Sequence, residues 1–305
     1  MTRLLVVTAD DLGLTAGVNR AVRRAHLEGV VTATSLLAVG RAFDDAAAML
    51  RATPTLEVGA HLAVVGEDPP LLTAREVPTL VDRRGGFPLS YRTVVARGLA
   101  GRIDPDDVRR ELGAQLERVL GVGVPVTHVD THQHTHLWPT VGEVVTELAL
   151  ARGIDVVRLP GSRARGVVGL GVHVLASRLA RRVRGAGLVT TAAYAGLDEA
   201  GALDLDRFAG AVRALAASGA ASAELNAHPG ESDDPELGRF AWGYRWGDEL
   251  AALVDPRARD AVTAAGFELG GFAALLGAQG GRATTGGPTP HDAPPPTPHD
   301  EGTTL

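Results

Sequence analysis

The sequence predicts an α/β protein built as a distorted TIM-like (β/α) barrel: one domain over residues 1–277, then a disordered tail over residues 278–305. Three observations lead there. Short apolar, β-branched runs alternate with stretches of helical spacing along roughly 275 residues. Composition does not break that alternation until the chain turns to Gly, Pro and Thr from Ala278 onward. Carboxylates and imidazoles recur where the apolar runs stop, the end of a barrel strand that carries chemistry. An open doubly wound sheet is the competing architecture.

Residues 4–8 are an apolar strand running into Asp10-Asp11, and residues 15–28 carry helical apolar spacing that Gly29 stops. A strand follows at 30–39, a helix at 44–51, and a strand at 56–65 containing Gly59-Ala-His61. Residues 66–103, with Pro69-Pro70, Pro78, Gly85-Gly86 and Pro88, read as a long, mostly irregular and candidate functional loop. Asp104 is placed to cap a helix that has Pro105 at its first position, Asp107 three residues after the cap, and an end near Leu120. The pattern continues with a strand at 124–132, a helix at 141–152, a strand at 154–159 and an arginine-containing helical region to Arg184. A strand at 187–194, a helix at 205–217, a strand at 221–227, a helix at 257–265 and a strand at 267–272 complete the domain.

Composition narrows the function. The chain has 305 residues, a net charge of -6 and no cysteine, so it lacks a general basic field for nucleic acid and any thiolate chemistry. Histidine and carboxylate must carry any metal. The run Leu4-Leu-Val-Val7 is too short for a secretory or membrane segment, which points to a cytoplasmic protein with no membrane partner. A homodimer is left open.

The densest polar motif is His128-Val-Asp-Thr-His-Gln-His-Thr-His136. On a strand, every second side chain shares a face, so this run would aim His128, Asp130, His132, His134 and His136 one way. Residues four apart on a straight strand sit roughly 13 Å from each other, so at most two neighbours can share one ion. Partners stand at other strand ends: Asp10-Asp11, His61, Arg158, and His228 within Asn226-Ala-His-Pro-Gly230. One carboxylate with two histidines leaves coordination positions free for water and substrate. Adjacent aspartates at a strand end point in different directions, so Asp11 is assigned as ligand and Asp10 as general base, with the reverse assignment open.

These residues, in this order, resemble the YdjC-like carbohydrate deacetylases, distant relatives of the NodB-type polysaccharide deacetylases. The likeness runs over about residues 3–275 and rests on Thr8-Ala-Asp-Asp-Leu-Gly13, Gly17-Val-Asn19, Gly29-Val-Val-Thr-Ala-Thr-Ser35, Val58-Gly-Ala-His-Leu62, the 128–136 run with Pro139, Val157-Arg158 and His228-Pro-Gly230. The resemblance implies a divalent ion, Mg2+ or Zn2+, and removal of an acetyl group from an N-acetylated sugar. It implies Asp11, His61 and His132 as metal ligands, Asp10 as base and His228 as the acid that protonates the amine. Arg158 would then orient Asp10 or substrate, Asp130 would hold a ligand histidine from behind, and His134 and His136 would meet substrate or support the ligands.

Two other readings use the same residues. A metallohydrolase of this fold could act on another amide or a phosphoester, because fold and metal do not fix the substrate. A non-catalytic sugar-binding or metal-storage protein would rely on Trp138, Trp242, Tyr244 and Trp246 as stacking surfaces.

Overall fold

The computed structural model describes residues 3–278. Its strands are β1 (Arg3–Leu12), β2 (Ala33–Leu37), β3 (Glu57–Leu62), β4 (Val126–Thr131), β5 (Val156–Val157), β6 (Ala193–Ala195), β7 (Ser222–Ala227) and β8 (Phe267–Leu269). The helices are α1 (Ala16–Leu27), α2 (Phe43–Arg51), α3 (Tyr91–Leu99), α4 (Pro105–Leu120), α5 (Pro139–Ala151), α6 (Val167–Gly185), α7 (Leu205–Ala217), α8 (Trp246–Val254), α9 (Pro256–Ala264) and α10 (Phe272–Ala278). No helix among the described residues is long and apolar enough to cross a membrane.

All eight strands pair in parallel, in the order β5-β4-β3-β2-β1-β7-β6, with β8 also on β1. β1 is the axis of the sheet, and its run Leu5-Val-Val7 is wholly buried, as a strand covered on both faces requires. β8 pairs with its first residues, Arg3 to Leu5, and β2 pairs from Thr8 onward. The sheet curls without closing into a regular ladder. Between β5 and the approach to β6, the described residues show one isolated bridge, from Val156 to Val189, in which Val157 N donates to Val189 O at 3.0 Å.

The inside of the curl is stratified. At the bottom, Val6, Ala33 and Val156 pack with Phe272 and Leu275 of α10 in an apolar cluster separate from the main core. Above it lie buried polar groups: Thr8, Ser35, His128 and Glu224, then Asp10, Asp130, Arg158 and Asn226. The helices cover the outer face of the sheet, where most of the large core sits.

Several expectations change. The strand expected at 267–272 ends at Leu269, because Gly270-Gly271 breaks it and Phe272 opens α10 instead. The strand expected through His132 ends at Thr131, and residues His132–Leu137 turn into a 3₁₀ segment with Gln133 and His134 at φ 50° and 52°. Hence the 128–136 run does not share one face. The segment 66–103 contains α3, capped by the Ser90 hydroxyl, which accepts from Arg92 N at 3.3 Å. α8, absent from the sequence reading, precedes α9. The expected helix from Val141 starts earlier, with Pro139 at its first turn. The tail lies outside the described residues except Ala278, the last residue of α10.

The long 66–103 segment is held by a polar stripe on α4 spaced one turn apart. Asp107 accepts from the Thr79 amide and hydroxyl, Glu111 from the amides of Leu71 and Leu72, and Gln115 bonds both the amide and carbonyl of Ala63. All three side chains are buried. A loop backbone that cannot reach water thereby finds partners.

Gly59 and His128 occupy adjacent positions on β3 and β4, and a Cβ on Gly59 would stand 2.4 Å from His128 Nε2. Gly59→Ala is therefore expected to cost about 1–3 kcal/mol of stability. Denaturant midpoints should show a smaller loss when His128→Ala is present in the same chain than the two single losses added together.

Candidate active site

Asp10 and Asp11 reach the same cavity although they are adjacent in sequence. Between Ala9 and Leu12, β1 gains one residue over its partner stretch Thr34 to Leu36, a bulge in which Asp11 takes φ 64°. Regular extended geometry would have sent the two carboxylates to opposite faces; the bulge turns both inward. Both are 1% exposed.

Asp11 faces two imidazoles. His132 Nδ1 lies 2.9 Å and His61 Nε2 3.3 Å from its Oδ1, and the three residues offer ligand atoms within 4.8 Å of one another. Neither oxygen of Asp11 accepts a properly directed hydrogen bond. A buried carboxylate without donors is costly, so these atoms call for a cation. Two imidazole nitrogens and one carboxylate oxygen, with further positions free, are the donor set of an open divalent site.

The second nitrogen of His61 is engaged as well. Asp130 Oδ1 lies 2.7 Å from His61 Nδ1, the partner that fixes the orientation of a metal-binding imidazole. Burial by itself would lower the pKa of His61, but Asp130, Asp11 and Asp10 outweigh it and push it up to about 10. Burial would raise the Asp11 carboxyl, but His132 and His61 hold it well below the ordinary range.

Arg158 stands directly beneath this group and is fully buried. Its Nη1 and Nη2 donate to the two oxygens of Asp10 at 2.7 Å each, its Nη1 lies 2.5 Å from Asp130 Oδ2, and its Nε donates to Glu224 at 2.7 Å. Asn226 Nδ2 adds a 2.9 Å bond to Asp10 Oδ2. The guanidinium thus belongs to an internal network. Burial raises Glu224 to about 7 despite the facing Arg158.

His228 Nε2 lies 4.0 Å from Asp10 Oδ2, nearer than two groups standing on either side of a substrate. Its backbone amide donates to buried Glu249 at 2.6 Å, and the same oxygen lies 3.9 Å from His228 Nδ1. The other candidates divide. His134 lines the cavity, and its Nε2 meets the Tyr194 hydroxyl at 3.1 Å; that hydroxyl donates to Asn226 at 2.5 Å. His136 is kept out of the cavity lining, with Nδ1 2.6 Å from the Thr131 hydroxyl and Nε2 3.0 Å from the carbonyl of Arg158. Burial lowers His136 to about 4 and, against the opposing pull of Asp130, His128 to about 3.

Together Asp10, Asp11, His61, His132, His134 and His228 line a cavity of about 560 Å3, walled on the open side by Trp242 and Tyr244. Trp242 lies 5.2 Å from the His132 ring and Tyr244 5.1 Å from that of His228. Trp246 is buried in the core. Sequence reasoning missed Glu224, Asn226, Ser35 and Glu249. The first two had a readable signal: Ser222, Glu224, Asn226 and His228 alternate on β7 with the same period of two as the β4 run. Arg163 and Arg182, in the arginine-containing stretch, pair with buried Glu199 and with half-exposed Glu143.

Comparison with known proteins places the chain in a family. Residues 4–264 match the family model described as YdjC-like protein. A carbohydrate deacetylase of Geobacillus stearothermophilus is 32% identical over 258 residues, covering 84% of this chain and 91% of that protein. A chitooligosaccharide deacetylase of Serratia marcescens is 30% identical over 273 residues, covering 89% and 99%. The matches to a Brevibacillus brevis and a Listeria innocua carbohydrate deacetylase span 55% and 60% of those proteins. A crystal structure from Enterococcus faecalis V583, provisionally named for cellobiose-phosphate cleavage, superposes with a TM-score of 0.74 at 23% identity, covering 90% of this chain and 99% of that one. That last likeness concerns the fold alone. On the match across most of its length, this chain belongs to the YdjC-like protein family.

Proposed function

We propose that the chain is a metal-dependent hydrolase that removes the acetyl group from an N-acetylated sugar. One observation carries the reading: Asp11, buried and without directed donors, faces His61 and His132 in a cavity that also holds a second carboxylate and two further imidazoles. The substrate class comes from relatives named as carbohydrate and chitooligosaccharide deacetylases. Two imidazoles and one carboxylate suit zinc better than magnesium, which prefers oxygen donors and retains its water.

Bound by Asp11, His61 and His132, such an ion would polarise the amide carbonyl and acidify a water. The chain's own groups do the rest. Arg158 and Asn226 fix Asp10 so that its Oδ1, which receives one bond from Arg158, keeps a lone pair for the proton of the attacking water. Arg158 divides its charge among Asp10, Asp130 and Glu224, so it orients Asp10 without neutralising it alone. His228 is the donor for the departing nitrogen, and its 4.0 Å separation from Asp10 lets the proton taken by Asp10 return through His228 after each turnover. Trp242 and Tyr244 offer ring faces to the sugar and restrict water.

Acetate release from N-acetylglucosamine and its β-linked oligomers tests the reading, with protein as purified, chelated, and reloaded with zinc or magnesium. Asp11→Ala is expected to lose both ion and release, whereas Asp10→Asn keeps the ion and loses turnover by roughly a hundredfold or more. The opposite pattern, read by metal content per chain, reverses the two roles. Metal affinity also depends on pH. The ion displaces the proton that His61 holds with its pKa raised to about 10, so binding should release protons and tighten as pH rises from about 6 to 9. Titration calorimetry in buffers of different ionisation enthalpy measures this; affinity flat across that range would mean that the ion displaces no proton from His61.

A further inference from the structure

A second cavity of about 490 Å3 adjoins the first. The two share Tyr91, Gln133, His134 and Leu197 as lining residues. The catalytic cavity is lined by aspartates, imidazoles and Arg92; the adjoining one is apolar, formed by Val94 of α3, Leu137 and Trp138 before α5, and Val168, Val172 and Leu175 of α6. Its charged lining residue is Asp198, at one end, which already accepts from the Ser162 hydroxyl and the Arg163 amide at 2.6 Å each. Among the described residues, no arginine lines it.

The surroundings extend the apolar character to the surface. The first half of α6 leaves Val167, Val168, Leu170 and Val174 between 57% and 88% exposed, and Leu89 and Leu99 beside α3 are 63% and 77% exposed. Arg178 is the first charged residue on that helix. Isolated exposed aliphatics are ordinary, but a run of them around an apolar groove that opens into a catalytic cavity marks a binding surface. α3 is seated for this purpose: a Cβ on Gly98 would come within 2.2 Å of the Trp138 indole, so the helix lies directly on the ring that forms one wall.

His134 stands at the junction. Its backbone is left-handed, φ 52°, after Gln133 at φ 50°, and its buried Nδ1 has no hydrogen-bond partner. Two consecutive non-glycine residues in that region carry strain, which tends to be retained where a side chain must be aimed. Here it aims an imidazole between a polar cavity and an apolar one.

We propose that the groove binds an apolar aglycone, so that the substrate is an N-acetylated sugar O-linked to a hydrocarbon group rather than a free oligosaccharide. The inference rests on the deacetylase reading and narrows its substrate. Continuity with the catalytic cavity identifies the occupant as part of the substrate. The shared wall includes none of Asp10, Asp11, His61, His132 or His228, so the portion in the groove is remote from the acyl carbon, as an O-linked group is and an N-acyl chain is not. Lack of a cationic side chain in the lining selects against a phosphate link at that point.

The test compares octyl and methyl β-glycosides of N-acetylglucosamine on the metal-loaded protein, below the micelle concentration. The octyl compound should be favoured by roughly tenfold or more in kcat/KM, the effect of burying a few methylenes. Val168→Asp and Val172→Asp should bring that ratio towards one. Equal rates for the two glycosides overturn the groove and leave the deacetylase in place, and so does a preference for N-octanoylglucosamine in their stead. A stable dimer in solution that protects α6 from labelling at Val168→Cys overturns it too, since a second copy then fills the surface. If no sugar releases acetate, the deacetylase reading fails by itself, and binding decides the groove. Octyl β-glucoside should then shift tryptophan emission in the parent chain and not in Trp138→Phe; no shift in the parent overturns the proposal.

Discussion

Everything in the interior is arranged around one buried guanidinium. Arg158, at the end of the shortest strand, bonds Asp10 of β1, Asp130 of β4 and Glu224 of β7 across the inside of the curled sheet. The sheet has no regular ladder between its outer strands, so these bonds join through the lumen what backbone pairing leaves open. A charge taken so far from water survives only when paired and hydrogen-bonded. Once paired, it holds three carboxylates in fixed places: Asp10 lines the cavity, and Asp130 holds the His61 ring from behind. The ion network that completes the fold is also the one that orients the proposed chemistry.

Charge balance follows from this. Asp10, Asp11, Asp130 and Glu224 converge where Arg158 is the permanent cation. Glu224, raised to about 7, and His61, raised to about 10, show how the fold relieves the excess: one carboxyl tends to keep its proton and one imidazole gains one. His61 faces Asp11 Oδ1 at 3.3 Å, yet neither oxygen of Asp11 receives a directed donor. A divalent cation among Asp11, His61 and His132 would relieve what proton uptake leaves, which is why the electrostatics and the ligand geometry agree.

How much of this was legible depends on which physical rule set each position. Period-two alternation exposed His128 and Asp130 on β4, and strand-end placement picked out Asp10, Asp11, His61, Arg158 and His228. The same alternation on β7 held Glu224 and Asn226 but was passed over, because acidic and amide residues in a strand attract less notice than histidines. The turn that carries His134 and His136 off the strand was hidden for a firmer reason. No pattern announces that Gln133 and His134 adopt left-handed backbone, a region that side chains other than glycine rarely enter, and that turn ends the shared face. α10 was hidden inside an apolar run, although Gly270-Gly271 marks the break. The α4 stripe of Asp107, Glu111 and Gln115 reads as a solvent face until a loop is laid over it.

Asp11 shows why a bulge was needed at all. A regular strand places adjacent side chains on opposite faces, so one of two neighbouring aspartates would have been lost to the outer core. Inserting one residue against β2 and turning Asp11 left-handed brings both carboxylates to one cavity, where Asp10 meets Arg158 and Asn226 while Asp11 meets the two imidazoles. Each element of that solution costs stability: a non-glycine residue at φ 64°, an interrupted ladder, and a buried carboxylate without directed donors. The surrounding network over-determines the position, with the ladder to β7 unbroken from Leu4 to Ala9 and the Gly13 amide donating to Asn19 at 2.7 Å on the far side of the bulge. A fold that anchors both flanks of a strained carboxylate is built to present it, and two carboxylates with separate partners can hold an ion and move a proton at the same place.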